Sequence, residues 1–230
     1  MSNRPRRVNP QPARLQAREG QGSESGRSRW LVWGGLAAVV LIAVVVGVAV
    51  AQTSSDSGSG IETGFAELIG QPLPPHDGTP TGVGQPAPLI RAQLMEDGAV
   101  AQVDTDDGTV RLIGFFAHWC PHCQREVPRV SSWLTDNELP GGVEVVAVST
   151  SVEPGGPNYP PSAWFEREDW PTPVMVDSED SAVWTGYGSG GFPYWVMVDG
   201  DGTVLEQHTG ELDDAQFSAM VERAGSAAAA

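Results

Sequence analysis

The sequence predicts an α/β domain in which a central mixed β-sheet is flanked by helices on both faces, preceded by one N-terminal transmembrane helix. An uncharged, strongly apolar segment near the N-terminus predicts the membrane helix. Strand-like and helix-like apolar patterns then alternate along the rest of the chain. Their order, β-α-β-α-β-β-α, closes with a hairpin, so parallel and antiparallel neighbours must share one sheet.

Charge divides the 230-residue chain into a basic head and an acidic body. The formal net charge is −16. Residues 1–29 hold seven arginines and two glutamates, a net +5, whereas the remainder holds six arginines and 27 acids, a net −21. Because the head is rich in Arg, Gln, Ser and Pro and has no periodicity, we expect residues 1–29 to be disordered. The acidic body argues against nucleic acid as a partner.

Residues 30–51 are predicted to form a membrane anchor. The core of this segment, Leu31 to Ala51, is 21 mostly apolar residues, roughly 31 Å as a helix and long enough to cross a bilayer. The basic head holds the N-terminus in the cytoplasm, so the rest of the chain is exported. A cleaved signal peptide is the alternative, because Ala49-Val50-Ala51 has the small-x-small form of a cleavage site. Either way the body faces an oxidising compartment.

The segment between anchor and domain, residues 52–83, is predicted to be a flexible linker. Its start is rich in Ser and Gly, and residues 71–88 are dense in Pro and Gly. Ile61 to Ile69 has the composition of a short helix. We expect the folded domain to occupy residues 84–225 and the tail, residues 226–230, to be disordered.

Within the domain, apolar periodicity and turn residues define the elements. The predicted strands are Leu89–Leu94, Val100–Val103, Val110–Phe116, Val143–Ser149, Val174–Val176, Tyr194–Val198 and Thr203–His208. The predicted helices are Cys120 to about Asn137, Ser162–Asp169, Ser178–Thr185 and Leu212–Ala224, the last one stopped by Gly225. The continuous apolar run Val143–Ser149 is typical of a strand buried inside a parallel sheet.

The two cysteines of the chain, Cys120 and Cys123, lie where an apolar strand ends and a helix pattern begins. Pro121 suits the first helical turn, where a missing N–H costs nothing. The helix therefore presents Cys120 at its N-terminus and shields Cys123 one turn further on. One helix face is apolar, through Val127, Val130 and Leu134.

This placement predicts redox chemistry. A helix N-terminus stabilises an anion, so the pKa of Cys120 is expected to be low, and an imidazolium at His122 would lower it further. A stabilised dithiol makes the corresponding disulfide a stronger oxidant. Three alternatives compete: a structural staple, although so short a loop constrains little chain entropy; a zinc knuckle, although a second ligand pair is missing; and two unreactive thiols.

With these features assembled, the chain resembles the thioredoxin superfamily, and within it the membrane-anchored TlpA-like, ResA-like or CcmG-like thiol-disulfide oxidoreductases. The likeness covers about residues 84–225. It rests on the opening Gly84-Gln85-Pro86-Ala87-Pro88, the strand Phe115-Phe116-Ala117-His118-Trp119-Cys120, the segment Gly191-Phe192-Pro193 and the turn Asp199-Gly200-Asp201-Gly202. The resemblance implies a thioredoxin-like fold at a bacterial cell membrane, with the catalytic domain outside the cytoplasm. It also implies a redox-active Cys120–Cys123 disulfide without a further cofactor or metal.

The resemblance implies further site residues. The Phe192–Pro193 bond is expected to be cis, so that the backbone of Phe192 faces the cysteines and pairs with extended substrate, with an ordinary trans proline as the alternative. Trp119 is expected to shape the substrate surface. Glu126 falls where this branch carries a glutamate that exchanges a proton with Cys123. The alternative for Glu126 is a first-turn acid favoured by the helix dipole. His118 is expected to be a solvent-facing polar residue without a role.

Two departures from the family pattern leave the direction of electron flow open. Gly114 stands where thioredoxin carries a buried aspartate, which places more weight on Glu126 or on water. Pro121-His122 is the dipeptide of DsbA-type oxidases, and it favours oxidation of exported cysteine-containing proteins. The alternative is a reductase of the cytochrome c maturation pathway, acting on apocytochrome c. In both versions a membrane redox partner recycles the cysteines.

Two hypotheses come from other functional classes. A copper chaperone of the Sco type would use Cys120, Cys123 and a distant imidazole such as His208, although the Sco-like spacing has three residues between the cysteines. The other hypothesis is an interaction module with an inert dithiol.

Overall fold

The computed structural model describes residues 60–230. The predicted head, the anchor or signal peptide and the first part of the linker lie outside the described residues. Among residues 60–230, no helix combines the length and apolarity that a membrane crossing requires.

Residues 60–230 form eight strands and four helices. The strands are β1 (Ala66–Ile69), β2 (Leu89–Gln93), β3 (Val100–Val103), β4 (Val110–Phe116), β5 (Val143–Ser149), β6 (Val174–Val176), β7 (Tyr194–Val198) and β8 (Val204–Thr209). The helices are α1 (Pro121–Asp136), α2 (Pro161–Arg167), α3 (Ala182–Gly186) and α4 (Asp214–Ala228).

A five-stranded mixed sheet with the order β6-β5-β4-β7-β8 is the centre of the domain. β4 and β5 are parallel, as are β5 and β6, whereas β7 runs antiparallel to both β4 and β8. This arrangement confirms the predicted mixed sheet with its terminal hairpin. A second sheet, of order β1-β2-β3, is antiparallel throughout.

The central strand β4 carries the core on both of its faces. All seven of its residues are buried, and successive side chains of a strand point to opposite sides. Leu112 and Phe116 pack in one apolar cluster with residues of α1, α2 and α4. Ile113 and Phe115 pack in the other cluster with α3 and β2. Because β4 is held from both sides, the chain segment that follows it has a fixed starting point.

The structure corrects the predictions for the residues before the domain. The proposed helix over Ile61–Ile69 is wrong, because Ala66–Ile69 is a strand that pairs antiparallel with β2. So short a helix has little stability of its own, whereas pairing satisfies the backbone of the segment. The flexible linker is also wrong for part of its length. Leu73 is buried, and its N–H donates to the carbonyl of Gly186 over 2.8 Å.

The end of the chain differs from the prediction as well. Helix α4 continues through Gly225 to Ala228, where a disordered tail was expected. A Cβ at Gly225 would lie 2.8 Å from the ring of Pro140. Glycine at this position therefore allows the close approach of Pro140 and does not end the helix. At its other end, α4 begins with a capping box between Asp213 and Gln216.

Candidate active site

Both cysteines lie at the junction of β4 and α1. Cys120 is the N-cap residue of α1, with an extended backbone, and Pro121 occupies the first helical position. The N–H of Cys120 donates to the carbonyl of Ala117, and its carbonyl accepts from the N–H of Gln124, each over 3.0 Å. The strand fixes the start of the helix, so the position of the two sulfurs follows from the packing of β4.

The two thiols have different surroundings. Both cysteines are free. Cys123 is fully enclosed, and 6% of Cys120 is exposed, which is less than the sequence predicts for a presented sulfur. The Cys120 thiol faces the carbonyl oxygen of Phe192 at 3.7 Å. Cys120 is therefore the less enclosed of the two sulfurs, and it lies next to the backbone of Phe192.

The electrostatics of the pair separate the two sulfurs further. A hydrogen bond from the Cys123 thiol is the largest cause that lowers the pKa of Cys120, to about 5, against the opposing effect of burial. Backbone N–H groups of Cys123 and His122 lower it further. Burial, followed by the interaction with Cys120, raises the pKa of Cys123 far above its usual range. Cys120 is therefore a thiolate at neutral pH while Cys123 keeps its proton.

His122 has a smaller effect on Cys120 than the sequence predicts. Its charge is the last of the causes that lower the pKa of Cys120. Its Nδ1 atom lies 2.7 Å from Nη2 of Arg125 and 3.1 Å from Oε2 of Glu211. Sequence reasoning missed Glu211, which is 89 positions away from His122. The signal that could have found it is topological: Glu211 follows the end of β8, and the cysteines follow the end of β4. Both strands run antiparallel to β7, so their ends lie at the same edge of the sheet.

Glu126 is a buried acid that lies beyond the first turn of α1. None of its surface is exposed. Its Oε1 atom accepts from Nε1 of Trp195 over 2.7 Å, and its Oε2 atom accepts from the backbone N–H of Leu212. Burial raises the pKa of Glu126 to about 7, although both hydrogen bonds oppose the rise. This carboxyl group can therefore hold or release a proton near neutral pH.

Gly114 leaves no room for the aspartate of thioredoxin. A Cβ at this position would lie 2.8 Å from the ring of Phe116 and 2.9 Å from the indole of Trp195. The same indole donates to Glu126. The rings of Phe116 and Trp195 thus fill the space that a buried aspartate would need at position 114. The buried acid of this site is Glu126, which lies on helix α1.

Phe192 and its neighbours form an apolar surface beside Cys120. The Phe192–Pro193 peptide bond is cis. Trp119 meets the ring of Phe192 edge-on at 6.0 Å, and Trp184 stacks on it at 4.9 Å. Nε1 of Trp119 donates to the carbonyl of Ser151 over 2.7 Å, which fixes the indole. Trp184 was missed by sequence reasoning, since nothing in its local pattern connects it to the cysteines.

His118 is buried, contrary to the expectation of a solvent-facing residue. Only 1% of it is exposed. Its Nδ1 atom lies 2.7 Å from the carbonyl of Pro157, and its Nε2 atom accepts from the N–H of Glu153 over 3.0 Å. This single tautomer ties the loop of residues 151–160 to the segment that precedes Cys120.

Within residues 60–230, no three His, Cys, Asp or Glu side chains come together as a set of metal ligands. The copper hypothesis with Cys120, Cys123 and His208 therefore gains no support from the described residues.

An acidic thiolate paired with a shielded thiol at the start of a helix is the arrangement that disulfide exchange requires. Together with the mixed sheet, this site defines the class: a thioredoxin-fold thiol-disulfide oxidoreductase. Comparison with known proteins gives the family. The family model described as Redoxin matches residues 82–223, and the chain belongs to that family.

Relatives carry the same class of activity in their names. The chain is 28% identical over 134 residues to the thiol-disulfide oxidoreductase ResA of Geobacillus thermodenitrificans, and the match covers 58% of this chain and 73% of that protein. It is 25% identical over 132 residues to the thiol:disulfide interchange protein HelX of Rhodobacter capsulatus, covering 57% and 70% of the two chains. These relatives support the TlpA-like, ResA-like and CcmG-like branch.

A solved structure shows the same fold. It is a solution structure from Bacteroides thetaiotaomicron, provisionally assigned as a protein disulfide isomerase, and it superimposes with a TM-score of 0.52 at 20% identity. The superposition covers 64% of this chain and 91% of that one.

Proposed function

We propose that this protein is a membrane-anchored, extracytoplasmic thiol-disulfide oxidoreductase that oxidises exported proteins through Cys120 and Cys123. The observation that carries the proposal is the placement of Cys120 at the N-terminus of α1 with Cys123 enclosed one turn further on, an arrangement that lowers the pKa of Cys120 to about 5. Stabilising the reduced pair raises the oxidising strength of its disulfide. The location rests on the apolar segment of residues 30–51 and the basic head before it.

The oxidative cycle proceeds in two exchanges. A client thiolate attacks the sulfur of Cys120 in the disulfide form, the Cys120–Cys123 bond breaks, and Cys123 departs and takes up a proton. A second client thiolate then attacks the client sulfur of the mixed disulfide, and Cys120 leaves as a thiolate. The client loses two electrons and gains a disulfide, and the protein gains a dithiol. The low pKa of Cys120 favours this last departure.

Glu126 is the residue we assign to the proton of Cys123. Its charge contributes to the raised pKa of Cys123, so the two groups interact electrostatically. With a pKa of about 7, the carboxyl group is partly protonated at neutral pH and can supply the proton that the departing Cys123 needs. In the reverse direction the carboxylate takes that proton back.

Phe192 and Trp119 are the residues we assign to client docking. The carbonyl of Phe192 faces the Cys120 thiol, so an extended client backbone that pairs with this edge brings its own cysteine next to Cys120. The ring of Phe192, held between Trp119 and Trp184, offers apolar contact to the client residues beside that cysteine.

The second candidate is a reductase of cytochrome c maturation. The relationship to ResA and HelX supports it, since the resemblance to this branch implies reductive members. Glu126 supports it as well, because a reductase needs a base that activates Cys123 for the resolving attack. In this version the thiolate of Cys120 attacks a client disulfide, and Cys123 displaces the reduced client.

Trapping with a Cys123→Ala variant of the full-length chain, expressed in its own host, tests the function and identifies the clients. In this variant the Cys120 thiolate attacks a client disulfide and one client thiolate leaves; without the resolving thiol the mixed disulfide should accumulate and be released by reductant. A Cys120→Ala variant is the matched control and should capture nothing. The equilibrium of the wild-type pair with glutathione then gives the direction: an oxidase equilibrates toward its dithiol, and a reductase toward its disulfide. Absence of any Cys120-linked protein would contradict the proposal.

A further inference from the structure

A cluster of charged groups lies beside the dithiol and is not used by the steps above. Glu211, with 21% of its side chain exposed, joins the end of β8 to α1. Its Oε2 atom lies 2.6 Å from Nη2 of Arg125 and 3.1 Å from Nδ1 of His122. Its Oε1 atom accepts from Nη2 of Arg129 over 2.9 Å. One carboxylate thus contacts three side chains of the helix that begins with the cysteines.

The contacts determine the charge of the cluster. A guanidinium group only donates hydrogen bonds and a carboxylate only accepts them, so Nδ1 of His122, which lies near both Arg125 and Glu211, joins the two groups in one contact network. Arg129 also has Asp214 nearby, with 3.7 Å between its Nε atom and the carboxylate. Two carboxylates therefore match the two arginines of the cluster, and neither guanidinium faces Cys120 without a paired carboxylate.

We propose that Glu211 is a positioning residue that limits the oxidising strength of the Cys120–Cys123 pair by neutralising Arg125 and holding it against His122. The inference rests on the proposed redox function of that pair. If the carboxylate were absent, Arg125 would be a free cation close to the thiolate, and the dithiol would be stabilised further.

The cluster is connected to Cys120 through α1, because Cys120 is the N-cap of this helix and His122 and Arg125 lie in its first two turns. The pKa of Arg125 is raised first by its hydrogen bonds to Glu211 and further by the charge of Cys120, so the guanidinium lies within electrostatic range of the thiolate. Hydrogen bonding from Arg125 holds the pKa of Glu211 at about 2, so the carboxylate is ionised at neutral pH. The compensation is therefore permanent and does not switch with physiological pH.

The test compares charge variants of the full-length chain at about pH 8.5, where imidazoles are largely uncharged. Glu211→Gln should increase the equilibrium constant for oxidation of glutathione by the protein disulfide roughly threefold to tenfold. The midpoint of the thiolate titration of Cys120 should fall at the same time. Glu206→Gln is the matched control, because Glu206 forms a two-bond ion pair with Arg223, at 2.8 and 2.9 Å. It should leave both quantities unchanged.

Arg125→Met separates an electrostatic role from a structural one. Removal of the cation should decrease the equilibrium constant, and the double variant should return close to the wild-type value. The inference would be overturned if the equilibrium constants of both single variants changed in the same direction, or if the equilibrium constant of Glu211→Gln did not change. A wild-type pair that proves reducing while Glu211→Gln still raises its constant would contradict the proposed oxidase and leave the role of Glu211 standing.

Discussion

Replacing Glu126 with glutamine should weaken the pH dependence of the free energy of unfolding. Glutamine keeps the shape and most of the polarity of the side chain but cannot ionise. In the wild-type protein, burial raises the pKa of Glu126 from 4.5 to about 7. Between these two values the folded protein binds a proton that the unfolded chain has lost, so stability must decrease as the pH rises through this interval.

The size of the effect follows from the pKa. A tenfold change in a protonation equilibrium corresponds to about 1.4 kcal/mol, so the rise from 4.5 to about 7 corresponds to about 3 kcal/mol. The wild type should lose this contribution between about pH 4.5 and about pH 8, and the variant should not. Both oxygens of Glu126 accept a hydrogen bond, one from the indole of Trp195 and one from the N–H of Leu212. The amide of glutamine has only one oxygen, so its NH2 group must face one of these two donors and that hydrogen bond is lost. The variant is therefore less stable at low pH, and the gap should narrow as the pH rises.

Urea denaturation at a series of pH values between about 5 and about 8 measures this difference. The thiols are kept reduced, so that no disulfide contributes. Other titrating groups are common to both proteins and cancel in the comparison. Glu222→Gln removes an exposed acid from α4 and should follow the wild-type curve. A constant difference between Glu126→Gln and wild type across the whole range would refute the argument that burial controls the ionisation of Glu126.

Two further substitutions test the thiolate and the aromatic packing beneath it. Cys123→Ala removes the hydrogen bond that contributes most to the low pKa of Cys120. The rate at which iodoacetamide alkylates Cys120 at about pH 6 should therefore fall at least about tenfold. An unchanged rate would assign the acidity of Cys120 to the helix N-terminus alone. Gly114→Asp forces a Cβ to within 2.9 Å of Trp195 and buries a charge; the free energy of unfolding should fall by about 3 kcal/mol or more. Gly141→Asp, where a Cβ meets nothing within 4 Å, is its control and should have little effect in the same denaturation assay.

The sequence predicts most of the fold because the core strands have local signatures. Val143–Ser149 is an uninterrupted apolar run, and the same residues form the buried strand β5. The hairpin turn at Asp199–Gly202 likewise predicts the antiparallel pairing of β7 and β8. These elements are specified by neighbours in the chain, so periodicity and turn chemistry are sufficient to find them.

The predictions fail where distant residues decide the structure. Ala66–Ile69 becomes a strand because β2 pairs with it. Leu73 is buried where its backbone N–H donates to the last residue of α3, Gly186. The Pro-rich sequence around Leu73 does not indicate this contact. His118 is enclosed by a loop about forty positions further along the chain. In each case the partner lies outside any sequence window that a local pattern can use.

The source of the acidity of Cys120 shows the same limit at the active site. The dipeptide Pro121-His122 suggests an imidazolium that stabilises the thiolate. In the folded protein His122 is engaged by Arg125 and Glu211, and the largest stabilising contact comes from Cys123. The two residues between the cysteines therefore do not determine the redox character of the site by themselves. A carboxylate at the end of β8 controls the contribution of that dipeptide, so the same motif on a chain without Glu211 should be the stronger oxidant.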